Sequence, residues 1–160
     1  MSAIEVEDRT IRIKEVVAEK KVGINIREAE PDDLNFIYDA WFKSWRSSKY
    51  AGVVPNNRYF ELMRETVENL VGRGARLLVA VASGRLLGFI CYEMTTDGLP
   101  VCHYIYVKDP YFKFGVGELL RDEAFPNMLE PGFITFKSPI VMKYFSDFKH
   151  APEIARRKDI

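Results

Sequence analysis

The run HYIYVKDPYFKFGVGELLRDEAF, His103 to Phe125, constrains the fold more than any other part of the chain. An apolar strand pattern enters a short loop, and a glycine pair then opens an amphipathic helix pattern. That order builds an anion site from main-chain groups. The first N–H groups of a helix have no intrahelical partner, and the helix dipole places partial positive charge there. Glycines at Gly115 and Gly117 let a phosphate come close to the backbone. The run therefore predicts a phosphate-bearing cofactor and leaves the substrate open. A dinucleotide fingerprint would need a third glycine and a later acidic residue, and a Walker loop would need Gly-Lys-Ser/Thr. Neither pattern is present.

A chain of 160 residues with a hydrophobic fraction of 48% is enough for one domain with a packed core. Its 23 basic and 23 acidic residues cancel, so bulk charge draws it to neither nucleic acid nor membrane. No stretch reaches the ~20 apolar residues of a membrane span. The opening MSAIEVEDRTIRIKE is too charged for a secretory signal, so the cytoplasm is the expected compartment. Cys91 and Cys102 make neither a disulfide framework nor a metal-ligand spacing, and read as buried thiols.

Residues 1–22 read as an N-terminal extension that fits a strand, a helix or a docking arm, and 23–160 as the domain itself. Ile24 to Ala29 alternates like a half-buried strand, and Pro31 with Asp32 and Asp33 opens a helix. Leu34, Ile37, Tyr38, Trp41, Phe42 and Trp45 form its apolar face. After a loop over Arg46 to Asn57, a second helix is expected over Arg58 to Val71, with Phe60, Met63, Val67 and Leu70 inward and Gly72 and Gly74 ending it. Strands follow at Leu77–Ala82, Leu86–Glu93 and Val101–Lys108, the first two joined by a tight turn. The glycine-led helix, a strand at Phe133–Lys137 and a helix at Pro139–Phe148 complete the order, and ARRKDI reads as an exposed tail. The result is a mixed α/β domain rather than a regular βαβ repeat.

This element order and the strand–loop–helix run resemble the GNAT superfamily of N-acetyltransferases. Ile105 and Val107 match the end of the family's fourth strand, Phe112-Lys113-Phe114-Gly115-Val116-Gly117 its loop, and Leu119-Leu120 the helix beyond. INIREA with Pro31-Asp32-Asp33 resembles the opening strand and helix, and LLVAVASGRLLGFICYE the second and third strands. The likeness spans Ile24 to Phe125 and continues to Lys137. A narrower likeness is to small GNAT-like proteins of tailed phages, which share a YIYVK strand and a W-x-x-S-W/Y helix. The chain departs from the pattern in placing Phe112 where a basic or amide residue usually starts the loop, and in stopping short after the last helix.

The resemblance implies a GNAT-like mixed central sheet flanked by helices, short at the C-terminus, with acetyl-CoA as co-substrate. The main chain at Ile105 and Val107 would hold pantetheine, and Lys113, Phe114, Gly115, Val116, Gly117 and Glu118 the pyrophosphate. Acetyl transfer to a primary amine by direct attack needs a base for the amine and an acid for the leaving thiolate. Glu93, at a strand end, is a candidate base, with a solvent-facing carboxylate as the plain alternative. His103 is a second, placed by alternation on the face of Ile105 and Val107; a packed strand histidine is the alternative. Tyr144, on the last helix, is the acid by position in the family, or else a core tyrosine. Ser47 to Asn57 would help choose the acceptor, which stays unnamed. Trp41, Phe42 and Trp45 beside Arg46, Lys49 and Tyr50 read as a core stripe rather than a nucleic-acid surface. A catalytically silent interaction protein and an acyltransferase for a modified nucleobase in phage DNA are the alternative functions. A homodimer would cover the sheet edge left by the short C-terminus.

Overall fold

The structure, a computed structural model, describes residues 23–46, 56–108, 111 and 114–157. The extension expected at 1–22, Lys113 and most of the Ser47–Asn57 loop lie outside the described residues. The elements are β1 (Asn25–Glu28), α1 (Leu34–Arg46), α2 (Asn56–Gly72), β2 (Arg76–Ala82), β3 (Arg85–Met94), β4 (Pro100–Val107), α3 (Val116–Ala124), β5 (Phe133–Ile134), α4 (Pro139–Tyr144) and β6 (Lys149–His150). One mixed sheet runs in the order β1-β2-β3-β4-β5-β6. The first four strands are antiparallel, and β5 and β6 join them in parallel.

Local chemistry fixes the opening. A 3-10 turn over Pro31–Asp33 leads into α1. Asp33 accepts from the Glu30 main chain at 2.7 Å and from Arg27 at 2.7 Å, which ties the turn to β1. The Arg27 hydrogen bond holds the Asp33 carboxyl below its ordinary value. On one sheet face Trp41 of α1 stacks on Tyr104 at 5.0 Å and packs beside Phe89. Met63, Val67 and Leu70 of α2 are fully buried, and each such side chain contributes about 1.5–3 kcal/mol. Phe60 is a correction to that stripe. It is 40% exposed, with its ring against Phe42, while Tyr59 is buried. On the other face Phe125, Phe145 and Phe148 cluster, with Tyr92 edge-on to Phe125.

Two further expectations change at the C-terminal end. The helix expected to reach Phe148 stops at Tyr144, and the ring contacts of Phe145 with Phe125 and Phe148 replace another turn. The chain then returns to the sheet as β6, with Lys149 donating to the Gly132 carbonyl at 2.9 Å. ARRKDI is not wholly a free tail. A 3-10 turn over Pro152–Arg156 buries Ile154, which packs with Val101 and Ala151. Among the described residues no helix is long and apolar enough to cross a membrane.

Candidate active site

The sheet splits between β4 and β5. Only Val101 and Cys102 pair with β5, opposite Phe133 and Ile134. Thr135 donates one more main-chain bond to the Cys102 carbonyl, at 3.3 Å. Beyond it β4 runs on to Val107 without β5, and the strand expected over Phe133–Lys137 is cut to two residues. On its other edge β4 stays paired, and Lys108 donates to the Leu87 carbonyl at 2.7 Å. Bonded residues alternate with residues whose main chain turns away. With Gly88 opposite Val107 and Ile90 opposite Ile105, the N–H and C=O of Ile105 and Val107 point away from β3. They face the side that β5 has left.

The helix α3 begins beside this open edge. Gly115 is its N-cap at φ 76°, in the left-handed region that favours glycine, and no side chain among the described residues caps the helix. The Leu119 N–H closes on the Gly115 carbonyl at 3.1 Å. The N–H groups of Val116, Gly117 and Glu118 precede that bond and have no intrahelical acceptor. Val116 is buried, Phe114 half-buried and Glu118 exposed. Gly117 also has a packing reason to be glycine. A Cβ there would clash with the Tyr144 ring, so the missing side chain makes room for Tyr144. Tyr144 is buried, and its hydroxyl has no hydrogen-bond partner among the described residues. Burial raises its pKa, Glu118 adds to the rise and Arg121 opposes it. The phenol is therefore protonated at neutral pH and can donate.

At the closed end of the split a chain of polar side chains crosses four elements. His103 Nδ1 lies 2.8 Å from Thr135 Oγ1, and His103 Nε2 lies 2.7 Å from Glu93 Oε2. Arg73, just after α2, donates from Nε to Glu93 Oε1 at 3.1 Å and from Nη1 to the Ile154 carbonyl at 2.7 Å. Burial pushes the Glu93 carboxyl up, but the His103 hydrogen bond and the His103 and Arg73 charges outweigh it, leaving the pKa below the ordinary value. Burial pushes the His103 imidazole down, and Glu93 does not restore it. His103 is thus neutral at pH 7 and Glu93 ionised. A carboxylate only accepts, so Nε2 carries the proton and Nδ1 accepts from the Thr135 hydroxyl.

A family model for an acetyltransferase (GNAT) domain matches residues 8–140. The chain belongs to the GNAT acetyltransferase family. Solved structures share this GNAT fold. A putative acetyl transferase from Pyrococcus furiosus is 21% identical with a TM-score of 0.55, over 80% of this chain and 93% of that one. A possible acetyltransferase from Clostridium difficile 630 is 17% identical with a TM-score of 0.54, over 80% and 91%. A PaiA N-acetyltransferase from Thermoplasma acidophilum, solved in complex with coenzyme A, is 24% identical with a TM-score of 0.49, over 66% and 71%. A comparison with curated proteins finds no match.

Within this GNAT domain the residues expected at the site fall into two groups. Ile105 and Val107 lie on the open edge of β4, and Val116 to Glu118 open α3, where Tyr144 packs against Gly117. Glu93 and His103 meet each other at the closed end of the split. Glu93 is not the solvent-facing carboxylate of the plain alternative. It is 9% exposed, with its edge on a cleft of about 560 Å³ that Arg73, Arg76, Tyr92 and Glu123 also line. Strict alternation does not place His103, because the β3–β4 register skips it: Cys91 faces Tyr104 and Tyr92 faces Cys102. That bulge frees the ring to reach Glu93. Sequence reasoning missed Arg73 and Thr135. Arg73 sits inside a helix stop, Gly72-Arg73-Gly74, and the only local signal for Thr135 is a hydroxyl between Ile134 and Phe136. Cys91 and Cys102 are free and buried, and burial raises both thiols, so neither is a nucleophile.

Proposed function

We propose that this GNAT domain transfers an acetyl group from acetyl-CoA to a primary amine by direct attack, without a covalent enzyme intermediate. The observation that carries the reading is the departure of β5 after Thr135. It leaves the main chain of Ile105 and Val107 free along an edge that leads to the uncapped start of α3. Pantetheine amides pair with such an edge as a further strand would. Pyrophosphate suits helix N–H groups, here those of Val116, Gly117 and Glu118, with Lys113, Phe114 and Gly115 in the approach. The Glu118 side chain is exposed and need not face the phosphates.

The chemistry then needs an acid and a base that converge on one thioester carbon. The amine nitrogen attacks the thioester carbonyl, the C–N bond forms and the C–S bond breaks. Tyr144, buried and protonated with an unpartnered hydroxyl, supplies the proton that the leaving thiolate takes. Glu93 and His103 remove the proton that nitrogen must lose. Isothermal titration with acetyl-CoA, with free CoA as control, tests the reading. Micromolar or tighter binding is the expected result and justifies an amine screen. Absence of heat with a folded protein would overturn it and leave an interaction protein on a GNAT scaffold.

A further inference from the structure

Phe112 leaves the start of the loop without the basic or amide residue of the family pattern. Another element brings a cation toward the first turn of α3. Lys143, in the last turn of α4, is exposed, and its ammonium lies 5.3 Å from the centre of the Tyr144 ring, over its face. The same ring packs against Gly117, where an added side chain would clash with the ring and its hydroxyl. By that shared ring, the Lys143 charge stands within a Debye length, about 10 Å at 0.1 M salt, of the Gly117 side-chain position. The Tyr144 hydroxyl is buried and has no partner among the described residues. Buried polar groups are normally paired, so the space beside this turn is built for a ligand. Glu118 and Arg121, the other charged groups that act on that hydroxyl, oppose each other. A lysine in the last turn of a helix already suits the dipole, but the dipole does not require its ammonium to sit over a ring that touches the start of α3.

We propose that Lys143 supplies positive charge to the diphosphate of acetyl-CoA, in place of a basic residue at the start of the loop. The inference rests on the reading of the α3 start as the diphosphate site and deepens it. Val116, Gly117 and Glu118 give the phosphate oxygens directional N–H donors. Lys143 gives an ammonium on a flexible four-carbon stem, a point charge that phosphate oxygens accept. The face of the Tyr144 ring is its resting place. A cation over an aromatic face at an exposed site is held weakly, so the ammonium leaves the ring for a phosphate at small cost. Lys143 uses only that ring, and the Tyr144 hydroxyl stays available to the leaving thiolate. The charge thus comes from α4 rather than from the loop, and the element that carries the acid also helps to hold the cofactor.

Lys143→Met keeps a long unbranched side chain and removes the charge, and Lys143→Arg keeps the charge. In isothermal titration the Kd for acetyl-CoA should rise on the order of tenfold in Lys143→Met, the scale of one hydrogen bond to a charged group. Lys143→Arg should recover most of the affinity, and the melting temperatures of the unliganded variants should match wild type. Lys143→Gln repeats the measurement if Lys143→Met melts early. The rise should be the same for free CoA, which lacks the acetyl group, and for dephospho-CoA, which keeps the diphosphate and lacks the 3′-phosphate. It should shrink as potassium chloride is raised from about 0.05 to about 0.5 M, because salt screens charge. Equal affinity of wild type and both neutral variants for acetyl-CoA overturns the assignment of Lys143 alone. A rise that vanishes with dephospho-CoA also overturns it, by moving Lys143 to the 3′-phosphate. A rise that salt leaves unchanged overturns it in favour of packing on the Tyr144 ring. A folded wild type that binds neither acetyl-CoA nor CoA overturns both this inference and the reading it rests on.

Discussion

The closed and open ends of the β4–β5 split treat their polar groups in opposite ways. At the closed end Thr135, His103 and Glu93 are joined by hydrogen bonds of 2.7–2.8 Å, and Arg73 anchors the chain. At the open end, among the described residues, the first N–H groups of α3 have no side-chain cap and the buried Tyr144 hydroxyl has no partner. Buried polar groups are normally paired, and leaving one unpaired costs about 1–3 kcal/mol. The closed end is paired apart from Arg73 Nη2, which has no partner among the described residues, and the open end offers donors to a ligand. Structure and chemistry are divided accordingly: substitutions at the closed end should weaken the fold as well as the reaction, and substitutions at the open end should act chiefly on binding and rate.

The largest expected effect is at Arg73. Arg73→Ala removes the cation beside a Glu93 carboxylate that is nearly buried, and frees the Ile154 carbonyl from its guanidinium. Breaking a buried pair by deleting one partner costs about 3–5 kcal/mol. Urea denaturation should show a loss of that order. A loss below about 1 kcal/mol, the range of an exposed pair, would mean that the chain of side chains is solvated and that the contrast between the two ends is false.

Gly117→Ala should have the next effect. The added methyl would clash with the Tyr144 ring and its hydroxyl. Displacing a packed ring costs about 1–3 kcal/mol, and acetyl-CoA affinity should fall with it. Tyr144→Ala should relieve the clash, so the double variant should be more stable than the sum of the singles predicts. Additive losses in denaturation would show that the ring does not depend on Gly117.

These two sites also mark what could be read from the sequence. The strand–loop–helix run and the element order were legible because apolar periodicity and glycine position are local signals. Glu93 and His103 were legible as residue types on strands, but their contact depends on a register that skips His103. Arg73 was hidden because its partners are Glu93 on β3 and the C-terminal turn, both distant in the chain. The glycine at position 117 was legible from its place in the loop, and the Tyr144 ring packed against it was not, since that ring arrives with α4. The same long-range packing ended α4 at Tyr144, where helical periodicity alone would have continued.

The smallest effect on stability should come from Tyr144→Phe, which sharpens the contrast most directly. The hydroxyl it removes is buried and makes no hydrogen bond among the described residues. Deleting a paired group would leave its partner stranded, but here no partner exists to be stranded. Stability should therefore stay within about 0.5 kcal/mol of wild type or rise slightly, as for a substitution that disturbs no packing. The ring remains, so its fit over Gly117 is kept. If Tyr144 supplies the proton to the leaving thiolate, kcat for amine acetylation should still fall by roughly a hundredfold, with acetyl-CoA affinity little changed. Unfolding curves and steady-state rates on one preparation test both halves. A clear loss of stability would mean that the hydroxyl is bonded in the native state and that the open end is as complete as the closed one. An unchanged rate would remove Tyr144 from the chemistry and leave the thiolate to depart without its proton.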